Sequence, residues 1–293
     1  MIESFLRYLA HEKRYSEHTL TSYRHDLEQL QAFLTDHIPG TEIEQVDSLS
    51  LRAWVVSLVD DEMSARTINR KMASLRSFYK FLMRREVISK DPTTKLRAMK
   101  TPKSLPNFAQ EPEIQRLLDH LQTPEDFEGW RDRLIIEMLY GTGIRLSELL
   151  GLEARDIEWS GNTIKVLGKR NKERVVPFPL PLKNTLKSYL KAKNEAFETN
   201  ASTKLIVTNN GEEGYPMLVY RTVKRYLDQF TSIDKRSPHV LRHTYATHLL
   251  DKGADLNAVK DLLGHASLAA TQVYTHNSLD KLKSVFEQAH PKA

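Results

Sequence analysis

The sequence predicts a mainly α (α+β) protein in two helical modules, one over residues 1–100 and one over residues 111–293, the second carrying a small antiparallel β-meander. Three observations predict this. Apolar residues through the first hundred positions recur at spacings of three and four, with no strand-like alternation. Alternation of the kind a half-buried strand needs is confined to residues 155–179. Between the modules, residues 98–113 (AMKTPKSLPNFAQEPE) hold three prolines and little periodicity. Pro102 and Pro106 favour extended chain, so residues 101–110 read as a linker.

Taken in order, Phe5, Tyr8 and Leu9 begin the apolar stripe of a first helix. Ser16 opens a second, with Leu20, Tyr23, Leu27, Leu30 and Leu34 on one side, and Pro39-Gly40 breaks it. A third covers Ser50 to Asp61. A fourth opens at Ser64 and places Ile68, Met72, Leu75, Tyr79 and Leu82 on a core face. At 100° per residue, Arg66, Arg70, Lys80 and Arg84 project from the opposite face as a basic ridge suited to DNA phosphates. In the second module, helices are expected over Glu111–Leu121, Trp130–Tyr140 and, after Gly141-Thr142-Gly143, over Ile144–Leu150 up to Gly151. Asp156–Trp159, Thr163–Leu167 and Arg174–Phe178 read as three strands of a meander, with Lys169, Arg170 and Lys172 on its second turn. Helices follow at Leu182–Lys193 and Tyr220–Phe230, with Leu205–Thr208 between them as a short strand or buried segment. His239–Leu250 and Leu256–Leu263 are the next two helices, the second stopped by Gly264. The tail holds a short helix with Leu279, Leu282, Val285 and Phe286 on one side.

Composition bounds the chemistry. The absence of cysteine excludes disulfides, thiolate metal sites and cysteine nucleophiles. The N-terminus lacks the basic start and apolar run of a signal peptide, and no apolar run approaches a membrane span, so a cytoplasmic protein is expected. The net charge of +5 mildly favours an anionic partner, but its distribution says more. Residues 1–65 hold 5 Lys+Arg and 12 Asp+Glu, a net of −7, whereas residues 66–103 hold 12 and 2, a net of +10. Such a swing marks a surface built for a polyanion, or simply a solvated helix face.

The stretch Ser237–His276 concentrates reactive side chains. Ser237-Pro238 reads as an N-cap followed by proline at the first helical position, which sets His239 and Arg242 three apart on one helix face. Arginine matches a phosphate with a planar fork of donors, histidine moves protons near neutrality, and Tyr274 offers a nucleophilic oxygen that needs activation. Each residue alone has a structural reading. Arg145 pairs naturally with Glu148 at i+3, Lys169 suits an exposed turn, and His265 suits a helix C-terminus. His11, His18, His25 and His37 have no matching partners, and no metal site is expected.

Laid out in order, Arg145, Lys169, His239-x-x-Arg242, His265 and Tyr274 resemble the tyrosine recombinase (lambda-integrase-like) family. GTGIRLSELLGL resembles the first arginine box, GKRNKERVVP the lysine hairpin, HVLRHTYATHLL the second box and LLGHASLAATQVYTH the histidine-tyrosine end. The first hundred residues resemble the family's core-binding domain, and the layout without a preceding arm-binding domain is most similar to its Xer branch. Arg170 departs from the pattern, which commonly has a second glycine there.

The resemblance implies a DNA strand transferase that needs no cofactor, metal or ATP. Tyr274 would form a 3′-phosphotyrosyl link, with Arg145, Arg242 and His265 on the phosphate, Lys169 as acid and His239 as base. It also implies double-stranded DNA as partner, a homo- or heterotetramer with a paralogous recombinase, an FtsK-type DNA translocase as activator, and a nucleoid-associated role in chromosome dimer resolution at cell division. The alternatives are a mobile-element integrase or invertase of the same family, a monomeric topoisomerase-like relaxase, and a DNA-binding protein that does not cut.

Overall fold

Eleven α-helices and a three-stranded antiparallel sheet make up the residues described by the computed structural model, which are 1–101, 107–121, 126–168, 173–198 and 200–264. The chain divides into two compact units, Met1–Ser104 and Leu105–Ala293.

In the first unit, α1 (Ile2–His11), α2 (Glu17–His37), α3 (Ser48–Asp60) and α4 (Ala65–Arg84) enclose one apolar core. The starts are chemically marked. Asp47 accepts from the Ser50 N–H at 2.8 Å and Ser64 from the Thr67 N–H at 3.2 Å, satisfying first-turn donors that a helix leaves open. Phe5, Leu27, Leu30, Ile68, Met72, Leu75 and Tyr79 interdigitate in the core, and the Tyr79 hydroxyl donates to the Ile43 carbonyl at 2.8 Å. Two charges lie inside this core, Asp26 and Lys71. Asp26, fully buried on α2, accepts from Arg70 Nη1 (2.6 Å), Lys71 Nζ (3.1 Å) and Ser74 Oγ (2.7 Å) of α4. After a 3₁₀ turn at Pro92–Lys95 the chain runs back along α4. Arg76 donates to the Leu96 carbonyl (2.7 Å), and the Asn69 amide exchanges two bonds with the Met99 backbone (2.9 and 2.8 Å).

The second unit is built around α6 (Phe127–Thr142), which is buried on nearly every side and packs against α8 (Leu180–Phe197), α9 (Pro216–Phe230) and α10 (Pro238–Asp251). That all-round burial explains why Leu134 to Tyr140 is apolar at every position except Glu137, which accepts from Arg133 Nε at 2.8 Å. α5 (Glu111–Asp119) precedes it, and the chain entering α5 is pinned to α10. The Ala109 N–H donates to Thr244 Oγ1 (3.0 Å), and the Ala109 carbonyl faces His248 Nε2 at 3.0 Å. His248 Nδ1 meets the Tyr140 hydroxyl at 3.1 Å, and burial pushes the imidazole down, which favours its neutral form. α7 (Leu146–Gly151) leads into the sheet β1 (Ile157–Glu158), β2 (Thr163–Leu167) and β3 (Glu173–Pro177), in that order. α11 (Leu256–Leu262) ends the described chain.

Several bounds differ from the sequence reading. α8 begins at Leu180 and α9 at Pro216, because proline tolerates the first helical turn, and α8 runs on to Phe197. Leu205–Val207 is a buried segment held by isolated bridges, Glu153 to Lys204 and Val207 to Glu213, rather than a strand. α7 starts at Leu146, with Ile144 and Arg145 outside it. The short helix expected in the tail lies outside the described residues.

The Asp26 network yields the first prediction. Asp26→Ala strands Lys71 as a buried, half-paired cation and lowers stability by about 3–5 kcal/mol in urea unfolding. A loss below about 1 kcal/mol contradicts the role given to this carboxylate.

Candidate active site

Glu148, at the third position of α7, is a buried carboxylate that four bonds reach. Oε2 accepts from the Arg145 backbone N–H at 2.7 Å and from Arg174 Nη2 at 2.9 Å. Oε1 accepts from Arg145 Nη1 and Arg174 Nη1, both at 2.8 Å. By taking the Arg145 N–H, Glu148 holds Arg145 extended (φ −77°, ψ 154°) and starts the helix at Leu146, two residues later than the pattern suggests. The i+3 pair expected between Arg145 and Glu148 is present, as one side of a larger cluster. Burial works against charge on Glu148, but the donors from Arg174 and Arg145 outweigh it and hold the carboxyl down at about 2.

The same arginines converge on the end of α11. Arg174 Nε donates to the Leu262 carbonyl (3.0 Å), Arg242 Nη2 to Leu263, and Arg145 Nη2 to Gly264 (3.1 Å). Three successive carbonyls at a helix C-terminus are thereby satisfied by three guanidiniums, where the helix dipole also favours cations. Arg242 rises from α10, is 8% exposed, and gives Nη1 to the Gly143 carbonyl. Burial and the neighbouring charge of Arg145 pull its guanidinium down to about 10. Two glycines make these approaches possible. Gly143 has φ +62° and its missing Cβ would overlap the Tyr245 ring, so a larger residue there would displace that aromatic side chain. Gly264 also has φ +62°, and a Cβ would lie 3.2 Å from the Arg174 guanidinium.

The remaining expected residues are placed as follows. His239 is exposed on the first turn of α10, with Pro238 at the first helical position. Ser237 stands at the N-cap, but its side chain makes no capping bond. Lys169, Arg170, Lys172, His265 and Tyr274 lie outside the described residues. β2 and β3, bridged by Lys165 Nζ and Glu173 Oε2 at 2.8 Å, precede and follow residues 169–172 in the chain, and His265 directly follows Gly264 in sequence.

On α4, Arg66, Arg70, Lys80 and Arg84 are all exposed. The ridge is not uniformly uncommitted, however. Arg70 shares its charge with Asp26 while half-exposed, and Arg84 donates to the Tyr8 hydroxyl at 2.6 Å. Lys71, counted in the basic run, is buried and bonds Asp26 and Gln29. Among the described residues there is no metal-ligating cluster of three His, Cys, Asp or Glu, and no helix long and apolar enough to cross a membrane.

Sequence reasoning read Glu148 only as the surface partner of Arg145, and Arg174 only as a strand residue. A signal existed for Arg174. Alternation along β3 puts it on the inward side with Val176, and an inward arginine needs a buried acid.

Residues 107–280 match the model of the phage integrase family, and residues 2–86 match that of the phage integrase N-terminal SAM-like domain. The chain is 37% identical to tyrosine recombinase XerC of Chlorobaculum parvum, covering 100% of this chain and 94% of that protein. It is 38% identical to tyrosine recombinase XerC of Listeria innocua, covering 99% and 97%. In fold it is similar to the XerH site-specific recombinase bound to palindromic difH substrate, with a TM-score of 0.73 at 21% identity over 97% of this chain and 83% of that one. The Tn1549 transposon integrase in complex with transposon right end DNA gives 0.68 at 19% identity over 97% and 98%.

The depressed acidity of Glu148 has a measurable sign. The folded carboxyl is held below its ordinary value of 4.5, so its stabilisation is full above that value and is lost as pH falls toward about 2. The stability gap between the wild-type chain and Glu148→Gln in urea unfolding is expected to be about 3 kcal/mol near neutrality and to narrow by about 1 kcal/mol at about pH 3.5. A gap that stays constant across this window contradicts the assignment.

Proposed function

We propose, from the premise that this chain belongs to the phage integrase family of tyrosine recombinases, that it is a site-specific DNA recombinase of the Xer type, which cuts and rejoins double-stranded DNA. The observation that carries this is the pairing of Arg145 and Arg242. Two guanidiniums donate to adjacent carbonyls, and the charge of one depresses the other. A phosphodiester between them relieves that repulsion, and the relief grows as charge builds in the transition state.

The reaction follows by electron and proton accounting. The Tyr274 oxygen attacks phosphorus, its proton passes to His239, and the bond from phosphorus to the 5′ oxygen breaks. Lys169 protonates that oxygen, leaving a free 5′-hydroxyl and a 3′-phosphotyrosyl link. Arg145, Arg242 and His265 hold the non-bridging oxygens. The link conserves the energy of the broken bond, so religation to a partner strand needs neither ATP nor metal. Residues 1–100 act as a core-binding clamp through Arg66, Arg70, Lys80 and Arg84, residues 101–110 as linker, and residues 111–293 as the catalytic domain, with Arg170 and Lys172 at the backbone near the cut. Exchange between two duplexes calls for four protomers, alone or with a paralogous recombinase, acting on the nucleoid in the cytoplasm. Chromosome dimer resolution at cell division fits this reading, with an FtsK-type DNA translocase as activator.

Mapping covalent protein–DNA adducts on the host chromosome identifies the site. On a nicked suicide duplex carrying that site, in EDTA and without nucleotide, the wild-type chain forms an adduct on denaturing gels. Tyr274→Phe forms none while binding the duplex normally, and adduct persisting in this variant sinks the tyrosine assignment. Deleting the residues after Asn277 removes the apolar side of Leu279, Leu282, Val285 and Phe286. In gel-shift assays that truncation is expected to weaken pairing of two sites more than binding to one, and unchanged pairing argues for packing within the same protomer.

A further inference from the structure

Arg174 is the member of the arginine cluster for which the reaction above has no use. It is buried, and its guanidinium is committed to protein on both sides. Nη1 and Nη2 bridge the two oxygens of Glu148 at 2.8 and 2.9 Å, and Nε reaches the Leu262 carbonyl at 3.0 Å. Its backbone lies in β3, paired with Val166 of β2, so it stands on the strand that leaves the turn bearing Lys169.

We propose that Arg174 is a positioning residue that holds three separate sources of catalytic groups in register. Through Glu148 it fixes α7 and the Arg145 side chain. Through the Leu262 carbonyl it fixes the end of α11, from which the chain continues to His265 and Tyr274. Through its own place in β3 it ties both to the hairpin of Lys169. The inference rests on the recombinase reading above.

Three physical features support it. A planar fork bonded to both oxygens of a carboxylate fixes orientation as well as distance, which a lysine cannot do. Among the described residues Glu148 has Arg145 as its only other bonded partner, so without Arg174 burial favours the protonated acid, a poorer acceptor for the Arg145 fork. Gly264 presses its bare Cα side against the Arg174 guanidinium, with Cδ, Nε and Cζ all 3.2 Å from where a Cβ would stand. The arginine is thus confined from the carboxylate side and from the chain leading to His265.

The test is single-turnover cleavage of the nicked duplex recovered by adduct mapping, at saturating DNA. Arg174→Lys keeps the charge but cannot make the in-plane set of three bonds. Adduct formation is expected to slow about tenfold to hundredfold, with duplex affinity close to wild type and a melting temperature that falls but leaves the chain folded at the assay temperature. Arg174→Gln is expected to add an acid limb to the pH–rate profile as Glu148 protonates nearer neutrality, and that limb disappears in the E148Q/R174Q double variant. Wild-type rates in a folded Arg174→Lys, or a loss that only tracks the unfolded fraction, overturn the proposal. So does a flat profile in Arg174→Gln, and loss of the fold in both variants assigns Arg174 to stability alone. A wild-type chain that makes no adduct on host DNA instead rejects the recombinase reading itself.

Discussion

A carboxylate nearly sealed from water must be surrounded by donors, and the second unit is arranged around meeting that demand for Glu148. The donors come from far apart in the chain. Arg145 is local, while Arg174 arrives on a β-strand, and both then reach on to the carbonyls that end α11. Arg242 completes the ring from α10 by bridging the carbonyls of Gly143 and Leu263. One buried negative charge therefore orders four elements around a concentration of positive charge. Two guanidiniums bond this carboxylate and a third, Arg242, stands beside them on backbone carbonyls, so the cluster carries an excess of cationic character, which favours an anionic ligand.

The first unit solves a smaller version of the same problem. Asp26 draws Arg70, Lys71 and Ser74 inward across α2 and α4, which sets the rotation of α4 about its axis. That rotation turns Ile68, Met72 and Leu75 into the core and leaves Arg66 and Lys80 outward. A buried polar contact thus fixes which face of α4 is available to an outside partner. The bidentate grip of Asn69 on Met99 likewise fixes the course of the chain beside that face.

Helices and strands were largely legible because periodicity and end chemistry agree. Ser64, Gly143 and Gly264 mark ends that the structure keeps, and β2 matches its expected span. Bounds slipped where proline could enter a first turn, as at Pro216, or where a side chain replaced a backbone acceptor, as Glu148 does for the Arg145 N–H. In the site, motif spacing pointed to Arg145 and Arg242, since both belong to short boxes. Arg174 and the carbonyls of Leu262–Gly264 were not read out. Their meaning comes from contacts spanning 88 and 119 residues, which no local pattern encodes. Charge counting misjudged Lys71 for a related reason, because net charge does not say which cations are turned inward.

Those long spans bear on how the molecule is made. Arg145 meets its acceptor at Gly264 only after another 119 residues have been synthesised. Local helices can form as the chain emerges, but closing so large a loop must wait for its distant end. A nascent or prematurely terminated chain that stops before α11 can hold Arg145 against Glu148, yet it has no carbonyls on which to order the rest of the ring. The arginine cluster thus assembles only once α11 has been made, and shorter products carry the basic surface of α4 without it.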